Sequence, residues 1–122
     1  MAYLRCGSGG GLKEEILWTN PNPTSSIGAV TIECDLSKYK MVLVKARYST
    51  SNNSTAIFGI NAESETLTSR TVCLMSMGQT SGTYVIRRTL SFSDNGTKIN
   101  ISDGVESGYN IYNIPIEIIG IK

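Results

Sequence analysis

Any chemistry in this chain would fall to carboxylates, lysines and cysteines, because none of its 122 residues is a histidine. That absence removes Ser-His-Asp and Cys-His catalysis, the histidine-ligated zinc enzymes and imidazole acid–base mechanisms together. Two pairs of acids lie close in sequence, Glu14 with Glu15 and Glu63 with Glu65. Glycosidase-type hydrolysis needs two carboxylates facing each other across a cleft at a set separation. Sequence proximity does not provide this, so solvated strand edges or loops are expected. Asp94, Asp103 and Glu106 offer oxygen ligands, but no calcium-loop spacing accompanies them. The three cysteines, Cys6, Cys34 and Cys73, are widely spaced, lack a CxxC pattern and cannot all pair. They read as reduced thiols, with Cys34 and Cys73 acting as small apolar packing groups. Beside Val72, Leu74 and Met75, Cys73 lacks the base and the electropositive setting of a nucleophile. The expectation is a non-enzyme with no catalytic residue, metal site or cofactor.

Recognition is a better use of the residue types present. The cluster Tyr109-Asn110-Ile111-Tyr112-Asn113 combines tyrosines, each a broad apolar face with a polar tip, with amides that both donate and accept. Tyr109, Asn110, Tyr112 and Asn113 are therefore the candidate ligand-binding residues, suited to a sugar or a peptide, with a turn and packing role as the bland alternative. Arg87-Arg88 is the other unusual feature. Strand alternation sends one of the two toward the side occupied by Ile86, Leu90 and Phe92, unless a bulge intervenes. A buried arginine paired with a carboxylate, a bulge and a subunit contact all remain open. The glycines Gly7 and Gly9 to Gly11 are not followed by the Gly-Lys-Ser/Thr of a phosphate loop, since Lys13 follows Leu12. Four N-x-S/T matches, at Asn52, Asn53, Asn95 and Asn100, are of the kind that arises by chance in a Ser/Thr/Asn-rich chain.

The elements that must position these residues read as strands. Residues 1–12 form a glycine-rich opening, expected to be flexible and a candidate docking tag, and residues 13–122 form one domain. Short apolar stretches alternate with turn clusters, and none shows a sustained helical repeat. Strands are expected over Glu14 to Thr19, with Ile16 and Trp18 on one face, and near Ile27 to Cys34. Asn20-Pro21-Asn22-Pro23 closes the first of these. Asp35 to Lys40 reads as a polar connection into a central strand from Met41 to Tyr48, where Val42, Val44, Ala46 and Tyr48 oppose Met41, Leu43, Lys45 and Arg47. Further strands are expected at Ala56 to Ile60, at Thr71 to Met77 with protein on both faces, and at Tyr84 to Phe92. Asn95-Gly96 signals a tight hairpin into Thr97 to Ser102, with Ile99 and Ile101 in the core. The final strand contains Ile114, Ile116 and Ile118 on one face, and Pro115 suggests an edge or solvent-facing position. The fold class is all-β, an antiparallel β-sandwich or jelly roll of about eight to nine strands.

Formal charge is +1, from 11 basic and 10 acidic residues scattered along the chain. With no basic run to neutralise phosphates, nucleic acid is not an expected partner. No segment is apolar enough for a membrane helix, and the opening lacks the apolar stretch of a signal peptide, so synthesis in the cytoplasm is expected. Leu17-Trp18-Thr19-Asn20-Pro21-Asn22-Pro23-Thr24-Ser25, Asp35-Leu36-Ser37-Lys38-Tyr39-Lys40-Met41-Val42-Leu43-Val44 and the ending Ile114-Pro115-Ile116-Glu117-Ile118-Ile119-Gly120-Ile121-Lys122 together resemble small tail or baseplate-associated proteins of phages and prophages of Gram-positive gut bacteria. The resemblance implies a virion component: a homo-oligomer, with a trimer favoured, that joins other tail proteins and contacts a host cell-surface glycan. It carries over no binding residue. A bacterial carbohydrate-binding or adhesion module outside any virion is the alternative expectation.

Overall fold

The period-two pattern resolves into eight strands among the described residues: β1 (Glu14–Thr19), β2 (Val30–Glu33), β3 (Met41–Ser49), β4 (Thr55–Asn61), β5 (Arg70–Thr80), β6 (Tyr84–Ser93), β7 (Lys98–Ile101) and β8 (Tyr112–Ile121). The structure, a computed structural model, describes residues 13–62, 70–80, 84–104 and 109–122, with the backbone alone at 70–74, 77–80, 84–86 and 109. The opening at 1–12 with Cys6, and Glu63, Glu65 and Glu106, lie outside the described residues, as does the side chain of Cys73.

Two four-stranded antiparallel sheets result, in the orders β1-β8-β3-β4 and β2-β7-β6-β5. Their inward faces meet in one core. Val42, Val44, Ala46, Ile60 and Ile118 come from the first sheet, and Ile32, Met75, Leu90, Phe92, Ile99 and Ile101 from the second. Each large apolar side chain buried in this way contributes roughly 1.5–3 kcal/mol against exposure. The protein is thus a β-sandwich. The pairs β1–β8 and β2–β7 nest as in a jelly roll. Inside them, however, β3 pairs with β4 and β5 with β6, where a complete jelly roll would pair β3 with β6 and β4 with β5.

Several expectations are corrected by local irregularity. A register shift between Ile16 and Trp18 places a bulge at Leu17, so Ile16 points outward at 64% exposure while Leu17 and Trp18 both pack on the core. A second shift, opposite Lys45 and Ala46, puts Pro115 rather than Ile116 across from Ala46 and sets Ile114 across from Arg47. Ile114, Ile116 and Ile118 therefore do not share one face. Pro115 is buried in β8, an interior strand rather than an edge. It is tolerated because it adjoins the bulge and lies beyond the last β1 partner, Glu117. Among the described residues β5, in contrast, is an edge strand that pairs with β6 alone. The connection from Asp35 to Lys40 is less polar than it reads: a 3-10 turn at Leu36–Lys38, capped by the Asp35 carboxylate, buries Leu36 and Tyr39 in the core.

The Asn95-Gly96 hairpin forms, with a longer loop than the two-residue turn. Ser93 pairs with Lys98, and Asp94, Asn95 and Gly96 adopt positive φ of 51°, 54° and 81°. Strand directions place this loop, the 34–40 connection and the start of β1 at one end of the sandwich. The loops at 20–29 and 50–54, with residues 102–104 and 109–111, gather at the other.

Candidate functional site

The gathered-loop end is organised by Arg88. Even-numbered positions of β6 point inward with Leu90 and Phe92, so the alternation carries Arg88 into the interior, where it is fully buried. Of the readings left open, burial holds, but the hydrogen-bond partners are five backbone carbonyls and no carboxylate. Nε donates to Tyr112 O at 3.1 Å. Nη1 donates to Gly28 O at 3.2 Å and Ser102 O at 3.1 Å, and Nη2 to Ile27 O at 2.8 Å and Asn110 O at 2.9 Å. All five donors of the planar guanidinium are engaged, a geometry that lysine cannot reproduce. Burial pushes the Arg88 pKa down to about 10, against the opposing pull of the Asp103 carboxylate; the group is charged at neutral pH. Gly28 keeps this region tight, since a Cβ there would lie 3.0 Å from Asp103 Oδ1.

Around that cation the loops are tied to one another through the 3-10 turn Tyr109–Ile111. Ile27 N donates to Asn110 O at 3.1 Å, and Thr50 N donates to Ile111 O at 3.0 Å. Gly104 N donates to Asn110 Oδ1 at 2.7 Å. Arg47 steadies the 50–54 loop by donating from Nε to Ser49 O at 2.8 Å. Ser49 Oγ, itself buried, accepts from Asn52 N at 3.0 Å. Asn20 closes the proline-rich turn, donating from Nδ2 to Pro115 O at 2.9 Å and accepting from Asn22 N at 2.7 Å.

Of the sequence-derived site residues, Asn110 and Tyr112 are half-buried at this end, and Tyr112 packs edge-on against Tyr48 with ring centroids 6.0 Å apart. Tyr109 begins the 3-10 turn, and its side chain is outside the described set. Asn113 is corrected. With φ of 48° it turns fully inward and donates from Nδ2 to Met75 O at 3.2 Å, so it bridges to the opposite sheet instead of facing a ligand. The surface offered here consists mainly of neutral groups, with Pro21, Asn22, Thr24, Ser25, Asn52, Asn53 and Ile111 exposed. Arg88 was visible in sequence as an anomaly. Its role as organiser was not, because its partners are carbonyls, which carry no side-chain signature.

Among the described residues the acids do not converge. Glu14 and Glu15 are consecutive on β1 and point to opposite faces. Asp94 pairs with Lys98 at 3.1 Å at the far end from Asp103. Among the described residues no group of three metal-ligating side chains is present. Burial, followed by the nearby Asp35 and Glu15 carboxylates, pushes the Cys34 thiol up, and it packs on the core as a small hydrophobe.

Fold and site together define an antiparallel β-sandwich with a braced cluster of neutral loops at one end. No family model matches the sequence, and no curated protein is detectably similar to it.

Proposed function

We propose that this chain is a non-enzymatic binding or structural domain of a phage or prophage tail, and that its gathered-loop end recognises a host cell-surface carbohydrate. The supporting observation is the bracing of that end. A buried guanidinium and the Tyr109–Ile111 turn hold three loops in fixed relation, and they present aromatic and amide groups whose preorganisation lowers the cost of binding a polar ligand. Neutral hydrogen-bonding loops beside Tyr48 and Tyr112 suit the alternating hydroxyls and apolar patches of a sugar. In this reading the protein is made in the bacterial cytoplasm and resides finally in the virion tail with other tail proteins, as a homo-oligomer.

Glycan-array and host-cell-wall binding by the full chain test the proposal. Selective binding is expected, weakened about tenfold or more by Asn110→Ala or Tyr112→Ala in variants that retain the wild-type melting profile. Absence of binding to any bacterial surface glycan would count against the recognition role. Neighbouring tail and lysis genes would support the virion setting, and neighbouring glycosidase or sortase genes would instead favour a free-standing carbohydrate-binding or adhesion module.

A further inference from the structure

The outward faces of the two sheets differ in kind. On the β2-β7-β6-β5 sheet the outward positions include Thr31, Asn100 and Ser93, joined by hydrogen bonds from Thr31 Oγ1 to Asn100 Oδ1 at 3.1 Å and from Asn100 Nδ2 to Ser93 Oγ at 2.9 Å. That is the ordinary solvated face of a sandwich. On the β1-β8-β3-β4 sheet a row of registered partners runs Ile16, Ile119, Leu43, Gly59 across all four strands. Met41 and Ile57 flank it on the same face. Ile16 and Ile57 are 64% and 61% exposed, and Met41 is 40% exposed. Leu43 and Met41 lean over Gly59, where a Cβ would lie 3.1 Å from Leu43 Cδ2 and 3.4 Å from Met41 Cε, so the apolar surface is continuous across the glycine.

We infer that this outward face is the surface through which the chain pairs with a second copy of itself. Four strands about 4.8 Å apart and some six residues long present on the order of 400 Å² in projection, at the scale where an exposed apolar patch marks an interaction site. That is about half of the roughly 800 Å² per partner of a specific stable pair, so the pairing is of the weak, concentration-dependent kind. The charges select the occupant. By register, Glu14 and Glu117 share the face with Lys45 and Arg47, two acids against two bases. A strongly charged partner or an anionic bilayer gains little from such a balance, whereas a copy of the same face can be turned to set its carboxylates against these bases.

The inference is independent of what the gathered-loop end binds, because its test reads assembly rather than ligand. Sedimentation velocity of the full chain is expected to show concentration-dependent pairing. Ile16→Arg and Ile57→Arg should each weaken it about tenfold or more, while Thr31→Arg, on the polar outward face, leaves it unchanged. Circular dichroism and thermal melts establish that each variant is folded. A wild-type chain that stays monomeric at about 100 μM, or an assembly that both isoleucine substitutions leave intact, overturns the inference.

Discussion

Arg88 concentrates more structural consequence than any other described residue, because its loss would strip one buried donor group from five carbonyls at once. Hydrogen bonds to charged groups and orphaned buried acceptors are each worth a few kcal/mol. Arg88→Met is therefore expected to destabilise by roughly 3 kcal/mol or more, and Arg88→Lys by less, as read by urea unfolding. At the opposite end, Glu15 accepts from the Tyr39 hydroxyl at 2.6 Å and pairs with Lys122. Lys122 first, and Tyr39 second, hold the Glu15 carboxyl below its usual value, while the Glu15 hydrogen bond raises the Tyr39 pKa to about 12. The depressed carboxyl contributes stability that is present above its unfolded value near 4.5 and lost as pH falls through the folded one. The raised tyrosine contributes stability that is present below about 10 and lost as pH rises through about 12. Denaturation midpoints across pH should lose the acid dependence in Glu15→Gln and keep only the part of the alkaline one due to burial of Tyr39. In Tyr39→Phe they should lose the alkaline one and keep the part of the acid one due to Lys122. Gly120 makes the Tyr39 position possible, since a Cβ there would fall 2.5 Å from the ring. Gly120→Ala is expected to cost about 1–3 kcal/mol by displacing the ring, measurable as a lower denaturation midpoint.

Bulges decide most of what the individual elements do. Apolar alternation in β3 and β7 carries through unbroken, and Val42, Val44, Ile99 and Ile101 are buried as their spacing demands. In β1 and β8 one extra residue on one strand inverts the parity beyond it, which is why Ile16 turns outward and Ile114 leaves the Ile118 face. Local propensity holds no record of such an insertion, because it depends on the partner strand. The 94–97 loop shows the converse. Its consecutive left-handed residues, Asp94, Asn95 and Gly96, are among the few types that accept positive φ. Gly96→Ala should therefore cost on the order of 1–2 kcal/mol, whereas Asn95→Gly should be close to neutral, both checked by thermal melts.

For the molecule as a whole, the nested pairing couples distant parts of the chain. Glu14 lies opposite Ile121 and Val30 opposite Ile101, so neither pair can form until most of the intervening chain is arranged. Folding is consequently expected in the milliseconds-to-seconds range of β-sandwiches rather than at helical-bundle speeds. Stopped-flow refolding followed by Trp18 fluorescence checks this, and a microsecond phase carrying the full amplitude would contradict it.

The sequence by itself determined the all-β class, the core-facing residues of the regular strands, the position of the hairpin loop and the exclusion of histidine chemistry. Each of these follows from side-chain type and period-two spacing, which are local properties. It also singled out Tyr109 to Asn113 and Arg87-Arg88 as exceptional. Only the tertiary structure decided that Asn113 turns inward, that Arg88 binds carbonyls from loops far apart in sequence, and that one sheet leaves an apolar face outward. Those outcomes depend on strand register and on backbone groups that every residue shares, so no pattern of side chains along the chain could encode them visibly.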